Sequence, residues 1–313
     1  IQVCDKVQEL HIWDVIGTGS RSTVGVKGNR DIAETECSLC GQCITHCPVA
    51  ALRERDDTEK VWEAIENPKK VVVAQVAPAV RTAWGEALGL APEEATIGKI
   101  MDSLKRLGVD YVFDTSWAAD LTIMEEAAEL QNRLERYFSG DKSVKLPMLT
   151  SCCPSWVREV ENYFPELVEN LSTAKSPQQI FGSASKTYYP QVADIDPKKV
   201  FTVTVMPCTS KKFEADRPEM ENEGIRNIDA VITTRELARM IKAAKIDFAK
   251  LEDSEVDPAM GEYTGAGVIF GATGGVMEAA LRTAKDFMEN DNLDNVDYEA
   301  VRGLAGIKEA EVE

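Results

Sequence analysis

Histidine is scarce in this sequence: the 313 residues contain only His11 and His46, which argues against a histidine-based catalytic triad. Basic residues are outnumbered, with 35 Lys and Arg against 53 Asp and Glu and a net charge of -18. Because phosphate binding requires a basic face, nucleic acid is not an expected partner. No apolar run reaches the roughly 20 residues of a membrane span, since Gln75 and Pro78 interrupt the longest candidate, residues 71–80. A signal-peptide pattern is also missing, which predicts a cytoplasmic protein.

Cysteine is the residue type that carries the first functional signal. Four of the eight cysteines lie close together and precede a proline: Cys37, Cys40, Cys43, Cys47 and Pro48. Their spacing, C-x2-C-x2-C-x3-C-P, resembles the cluster motif of bacterial ferredoxins. Three thiolates at these intervals can hold one face of an iron–sulfur cube, and Gly41 permits a close backbone turn between them. A zinc site and a set of free thiols are the alternatives.

The fourth ligand of this cluster is expected from elsewhere in the chain. In two-cluster ferredoxins the last cysteine of such a motif binds the other cluster. We therefore predict that Cys4 completes a [4Fe–4S] cluster with the first three cysteines of the motif. Cys47 is then predicted to bind a second cluster, whose other ligands would precede Ile1. Either histidine could also bind a metal, although a surface or cluster-adjacent position is commoner.

Downstream, short β-rich runs alternate with segments of helical periodicity. The candidate strands are residues 71–76, 111–113, 146–150, 200–205, 230–232 and 268–270. The candidate helices are residues 97–107, 119–137, 178–188, 234–244 and 276–288, with a linker helix within residues 53–70. This alternation predicts an α/β core with mostly parallel sheets, preceded by a small α+β ferredoxin-like domain.

Several predicted strands are followed by short segments that contain proline, cysteine or glycine: residues 77–79, 151–154, 206–208 and 271–275. Ligands of open α/β sheets bind at the carboxyl ends of the strands. The last three cysteines, Cys152, Cys153 and Cys208, are therefore expected to converge there. Neighbours on an extended chain point in opposite directions, so one of Cys152 and Cys153 can bind metal while the other faces substrate. A vicinal disulfide and two buried apolar side chains are the alternatives.

The segments around these cysteines resemble a known family. Residues 150–156, T-S-C-C-P-S-W, and residues 206–214, M-P-C-T-S-K-K-F-E, are similar to the first two cluster motifs of the iron-only, or FeFe, hydrogenases. Residues 123–126, 174–179, 229–236 and 271–278 extend the resemblance along most of the chain. The resemblance implies reversible reduction of protons to dihydrogen. The implied cofactor is the H-cluster, a [4Fe–4S] cube joined to a diiron unit that carries CO, cyanide and an azadithiolate.

The resemblance also implies roles for individual residues. By motif position, Cys153 and Cys208 would bind the cube, and Cys152 would pass protons to the bridging amine of the diiron unit. Lys211 would pair with a cyanide, since an ammonium is a compact donor for a buried anion. The remaining implied lining residues of the diiron pocket are Pro78, Ala79, Gln178, Met206 and Pro207.

Four polar residues resemble the proton route of the family: Glu126, Glu129, Arg133 and Ser172. Spacings of three and four residues place Glu126, Glu129 and Arg133 on one helical face, over about 10 Å. Ser172 is implied to bridge the two glutamates. Without the cysteine motifs, the same helix positions are typical of a solvated charged stripe.

The third cluster motif of the family, C-x3-C in a glycine-rich segment, does not occur in these 313 residues. We expect a fragment, inactive alone, with a partial ferredoxin-like domain and linker helix at residues 1–66. Residues 67–313 would form the N-terminal part of the H-cluster domain. Ferredoxin or another low-potential carrier, or NADH-linked hydrogenase subunits, are the implied partners. An iron–sulfur assembly scaffold and a sensory hydrogenase-like protein are the alternatives, although Cys152 argues against the first and the complete proton route against the second.

Overall fold

The N-terminal segment is built around a short hairpin and several single-turn helices. The computed structural model describes residues 1–272 and 274–289, together with Gly306 and Glu309. The regular elements of the segment are a π-helical turn (Val3–Val7), strands β1 (Trp13–Ile16) and β2 (Thr23–Val26), and helices α1 (Gln42–Thr45) and α2 (Thr58–Glu66). The two strands pair antiparallel, and Cys4 and Cys37 pack with Leu10 and Ile12 in a small apolar core. The ferredoxin-like character of this segment stays a prediction.

A four-stranded parallel sheet forms the centre of the rest of the chain. Its strands are β3 (Val71–Val76), β4 (Tyr111–Asp114), β5 (Val200–Met206) and, after a small ribbon of β6 (Glu221–Asn222) and β7 (Ile225–Arg226), β8 (Ala230–Thr233). They pair in the order β4-β3-β5-β8, and every pair is parallel. The near-continuous apolar runs of these strands suit a sheet that is covered on both faces. The predicted α/β core with a parallel sheet is confirmed.

Helices cover both faces of this sheet. They are α3 (Ile97–Leu107), α4 (Ser116–Phe138), α5 (Pro154–Tyr163), α6 (Pro177–Thr187), α7 (Tyr189–Ala193), α8 (Ser210–Asp216), α9 (Thr234–Ala243), α10 (Gly265–Phe270) and α11 (Gly275–Glu289). On β3, Val72 and Ala74 pack in a core with Leu104 of α3, whereas Val73 packs in a second core with Phe181 of α6. This alternation follows from the two-residue period of a strand. In the part of the chain that the structure describes, no helix combines the length and apolarity needed to cross a bilayer.

Two of the predicted strands are wrong. Residues 268–270 belong to α10, which Thr264 caps by accepting the amide of Ala266 on its hydroxyl oxygen. A short apolar run fits a strand or a buried helix equally well, so periodicity alone did not separate them. Residues 146–150 form only a single bridge, Leu149 to Leu171, because Pro147 has no amide to donate to a ladder. The linker helix is shorter than the predicted span, and Thr273 lies outside the described residues.

A buried ion cluster joins the segment before α2 to the core. Lys212 of α8 is 4% exposed, and its Nζ donates to Glu236 Oε1 at 3.0 Å and to Asp57 Oδ2 at 3.3 Å. Arg55 holds Asp57 through two further bonds, of 3.1 and 2.9 Å. Glu236 also accepts the amides of Asp57 and Thr233, so this carboxylate fixes two segments at once. The cluster therefore ties the thiol-bearing N-terminal segment to the sheet.

We expect Lys212→Met to lower the free energy of unfolding by about 3–5 kcal/mol, because it leaves the buried carboxylate of Glu236 without its cation and removes one of the cations that hold Asp57. Urea denaturation of the metal-free protein measures the effect. The control is Arg136→Met, which breaks the exposed pair of Arg136 with Asp141 and should leave the stability close to that of the wild type, because solvent screens this pair. Equal losses in the two variants would contradict a structural role for the cluster.

Candidate functional site

Four thiols line one cavity of about 370 Å³ in the N-terminal segment: Cys4, Cys37, Cys40 and Cys43. These are the residues that the motif spacing assigned to one cluster. Cys47 lies outside this cavity, where its sulfur accepts the amide of Ala51 at 3.3 Å. His11 and His46 are exposed and do not line the cavity either. The structure thus separates Cys47 from the other three cysteines of the motif.

The cavity fits an iron–sulfur cube in its size and in its donors. Burial raises the pKa of the Cys37 and Cys43 thiols, so cluster binding has to displace their protons. Gly41, between two of the cysteines, has a φ of 74°, and a Cβ there would meet Thr209 Oγ1 at 2.6 Å. Among the described residues, no three His, Cys, Asp or Glu side chains are grouped to hold a single metal ion.

The segment that follows β5 contacts both this cavity and the backbone of Cys152, and it carries Cys208. Thr209 lines the cavity and donates from Oγ1 to the carbonyl of Leu39 at 3.0 Å. Cys208, the preceding residue, has its sulfur 2.8 Å from Ser210 Oγ. Lys211 donates from Nζ to the carbonyl of Cys152 at 2.8 Å. The structure therefore brings the segment of Cys152 and Cys153 next to the turn that carries Cys208.

The residues assigned to the diiron pocket lie around the carboxyl edge of the sheet. Pro78 and Ala79 begin the 3-10 turn after β3, while Met206 ends β5 and Pro207 follows it. Gln178, in the first turn of α6, donates from Nε2 to the carbonyl of Lys211 at 3.1 Å. Since β3 and β5 are parallel neighbours, their carboxyl ends lie side by side.

Glu214 is a site residue that the sequence analysis missed. It is buried, and it accepts hydrogen bonds from Lys211 Nζ at 3.1 Å and from Gln178 Nε2 at 2.8 Å. It is the last residue of the motif at 206–214, and its spacing of three residues from Lys211 was the available signal. Lys211 is thus held between Glu214 and the carbonyl of Cys152, which fixes its ammonium beside the cysteine pair.

Cys152 and Cys153 differ in their surroundings. Both are free thiols, so the structure does not contain a vicinal disulfide. Burial raises the pKa of the Cys152 thiol to about 11, although the nearby ammonium of Lys211 opposes the shift. Cys152 therefore carries its proton at neutral pH. Cys153 is exposed and stands at the N-cap of α5, where Pro154 takes the first helical position.

Glu126 is the innermost carboxylate of the charged helical face. It is 0% exposed, and neither of its carboxylate oxygens has a hydrogen-bond partner among the described residues. Burial raises its pKa to about 7, with the Glu129 carboxylate adding to the shift. The Ser151 amide and the Ser172 hydroxyl act in the opposite direction, but burial outweighs them. Glu126 thus lies beside the backbone that leads into Cys152, in a setting that favours proton exchange near neutral pH.

The surroundings of Glu129 shift its pKa in the opposite direction to that of Glu126. Its Oε2 accepts from Ser172 Oγ at 2.8 Å and from the Thr173 amide at 2.9 Å, and Arg133 donates to Oε1 at 2.6 Å. Burial acts to raise the pKa of Glu129, but these hydrogen bonds outweigh it and leave the pKa below its ordinary range. Arg133 also donates to the carbonyl of Leu171 at 2.8 Å. Ser172 hydrogen bonds Glu129 and also lowers the pKa of Glu126, so its bridge between the two glutamates stays a prediction.

A four-thiol cavity, together with a buried acid and a half-buried thiol on a parallel α/β core, points to the class of iron–sulfur oxidoreductases. The family model for the iron-only hydrogenase large subunit, C-terminal domain, matches residues 70–313. The chain belongs to this family.

Individual relatives agree with the family model. The chain is 58% identical over 313 residues to iron hydrogenase 1 of Clostridium pasteurianum, covering 100% of this chain and 54% of that protein. It resembles the solved structure of a variant of apo [FeFe]-hydrogenase HydA1 from Chlamydomonas reinhardtii, with TM-score 0.66 and 45% identity, over 73% of this chain and 58% of that one. A more distant relative is cytosolic iron-sulfur assembly component 3 of Bos taurus, 30% identical over 314 residues, 95% of this chain and 65% of that protein. The chain thus spans about half the length of the curated hydrogenase it matches.

Proposed function

We propose that this chain forms the electron-entry and proton-transfer part of an iron-only hydrogenase, which reversibly reduces protons to dihydrogen. The observation that carries the proposal is the turn after β5. Thr209 in this turn lines the four-thiol cavity. Lys211, at the start of α8, hydrogen bonds the carbonyl of Cys152, which lies at the inner end of the proposed proton route. When bound, the H-cluster supplies the redox chemistry that combines electrons with protons.

The chain's own residues would hold and move protons. Arg133 and Glu129 form the outer end, with side chains that are 11% and 16% exposed. Glu126, with a pKa of about 7, can accept and release a proton at neutral pH. Cys152, protonated at that pH, is the donor at the inner end, and Lys211 fixes its backbone. The uncharged form of both inner groups avoids a buried charge between transfers.

The metal-binding residues are proposed as two groups. Cys4, Cys37, Cys40 and Cys43 would hold one [4Fe–4S] cluster, and Cys47 would serve a second. Cys153 and Cys208 would supply two thiolates to the H-cluster cube, which takes four protein thiolates, so loading is expected in the full-length protein. Pro78, Ala79, Gln178, Met206, Pro207 and Lys211 would surround the diiron unit with its CO, cyanide and azadithiolate.

Ferredoxin, a similar low-potential carrier or NADH-linked subunits would deliver the electrons. We place the protein in the cytoplasm, because its eight free thiols suit a reducing compartment. Hydrogen evolution by the full-length, H-cluster-loaded protein with reduced ferredoxin tests the activity. A complete H-cluster signal without any hydrogen would favour the assembly role that the distant relative's name describes, or a sensory one.

The ligand assignment predicts different effects at two cysteines. We expect Cys4→Ala to remove the EPR signal of one [4Fe–4S] cluster and close to four irons per protein, because Cys4 lines the shared cavity. Cys47→Ala is the matched variant and should leave that cluster in place. Iron analysis and EPR of the full-length protein measure both. The assignment is wrong if the Cys4 variant keeps the cluster and the Cys47 variant loses it.

A further inference from the structure

Arg158 contacts the segment that carries the N-terminal thiols. It is a half-buried residue of α5, the helix that begins just after Cys153. Its Nε donates to the carbonyl of Cys37 at 2.6 Å, and its Nη2 donates to the carbonyl of Thr35 at 3.0 Å. Both acceptors belong to the loop that leads into the four-thiol cavity. A side chain of the core thus holds the backbone of a proposed cluster ligand directly.

The same guanidinium packs over the ring of Phe213, 5.0 Å from the ring centroid. Phe213 belongs to α8, the helix that follows Cys208, and it lines the four-thiol cavity. Arg158 therefore connects the segment of Cys37 to the two helices that follow Cys153 and Cys208. In the described part of the chain, the Arg158 side chain does not form an ion pair. Its guanidinium interacts instead with the two carbonyls and with the Phe213 ring.

Arg217 provides an internal comparison. Its guanidinium also lies over the Phe213 ring, 5.8 Å from the centroid. Unlike Arg158, it pairs with the carboxylates of Glu161 and Glu219. The two arginines thus share an aromatic neighbour, but only Arg158 reaches the N-terminal loop by hydrogen bonds.

We propose that Arg158 is a positioning residue that clamps the Cys37 loop to the core, and so sets the place of the N-terminal cluster relative to Cys153 and Cys208. The proposal rests on the proposed function, since it concerns electron delivery to that site. The planar guanidinium can donate to two carbonyls while it stacks on a ring, and a lysine ammonium cannot reproduce this geometry. The rate of electron transfer between two clusters depends on their separation, so a loose loop slows delivery.

The first test is amide hydrogen exchange in the full-length protein with the variants Arg158→Met and Arg158→Lys. We expect exchange in peptides covering residues 35–43 to become about tenfold faster in the methionine variant and to rise less in the lysine variant. Arg217→Met is the control and should leave these peptides within about twofold of the wild type. Unchanged exchange in Arg158→Met would overturn the clamp.

The second test separates electron delivery from the state of the core. Hydrogen evolution from reduced ferredoxin requires electrons to enter through the clusters, whereas isotope exchange between D2 and water protons does not require a net electron supply. For Arg158→Met we expect evolution to fall at least fivefold and isotope exchange to stay within about twofold. Equal losses in both assays would show damage to the core and overturn the positioning role. A wild-type protein that makes no hydrogen would contradict the proposed function, yet amide exchange would still decide on the clamp.

Discussion

Replacing Cys152 by serine in the full-length protein is expected to reduce hydrogen turnover by at least about a hundredfold. The thiol is half-buried beside Lys211 and Glu126, and its pKa of about 11 keeps the proton in place at neutral pH. A hydroxyl of similar size is a much weaker acid and a poorer relay, and loss of a positioned proton donor typically costs 10²–10⁴ in rate. Gas chromatography of evolved hydrogen measures the effect.

Iron content and cluster EPR signals should stay at wild-type values in Cys152→Ser, because Cys152 is not assigned as a ligand. Ser151→Ala is the neighbouring control; it removes only a hydroxyl that donates to the carbonyl of Ala174 at 3.0 Å, and turnover should stay within a few fold. Turnover above half of wild type in Cys152→Ser would remove this residue from the proton path. Loss of iron would instead make it a ligand.

Glu126→Gln is expected to lower turnover by about a hundredfold or more, since an amide of the same shape cannot accept and release the proton. The Glu126→Gln variant should also have a larger free energy of unfolding than the wild type. The folded-state pKa of Glu126 is raised from 4.5 to about 7, so between these values the folded protein binds more protons than the unfolded chain. Stability contributed by this group therefore falls as pH rises through that window.

The sign of this linkage gives a pH test. At about 1.4 kcal/mol per pKa unit, Glu126→Gln should be more stable than wild type by about 3 kcal/mol above pH 7. Below pH 4.5 the carboxyl is protonated in both states, and the advantage should vanish. Urea denaturation of the metal-free proteins at pH 4.5 and 8 measures the difference. An advantage that does not change with pH would show that burial of the Glu126 charge is not its cause.

The sequence predicted the elements that local patterning specifies. Strands β3, β4, β5 and β8 are apolar runs with clear ends, and the long helix α4 shows its charged face in the spacing of Glu126, Glu129 and Arg133. The same reasoning failed for residues 268–270, because Gly265 and Gly267 lower the helix propensity of a segment that is helical in the structure. Close packing against α4 explains one of those glycines: a Cβ on Gly267 would meet the carbonyl of Ser116 at 2.5 Å.

Side-chain partnerships were harder to predict because they join distant parts of the chain. The cavity brings Cys4 beside Cys37, Cys40 and Cys43, and only the ferredoxin spacing rule suggested that. Arg158 occurs in no recognisable motif, so its bonds to Thr35 and Cys37 could not be anticipated. The hydrogen bond of Lys211 to the Cys152 carbonyl likewise depends on how α8 packs against the start of α5.

The placement of Cys153 and Cys208 also affects how firmly the backbone that carries their sulfur atoms is held. Cys153 caps the ten-residue helix α5, and Cys208 directly precedes Thr209, the N-cap of α8. The carbonyl of Cys153 accepts the amide of Val157 at 3.0 Å, and the carbonyl of Thr209 accepts the amide of Lys212 at 3.1 Å. A substitution that unwinds the first turn of either helix would therefore also displace a proposed cluster ligand, without touching the sulfur itself.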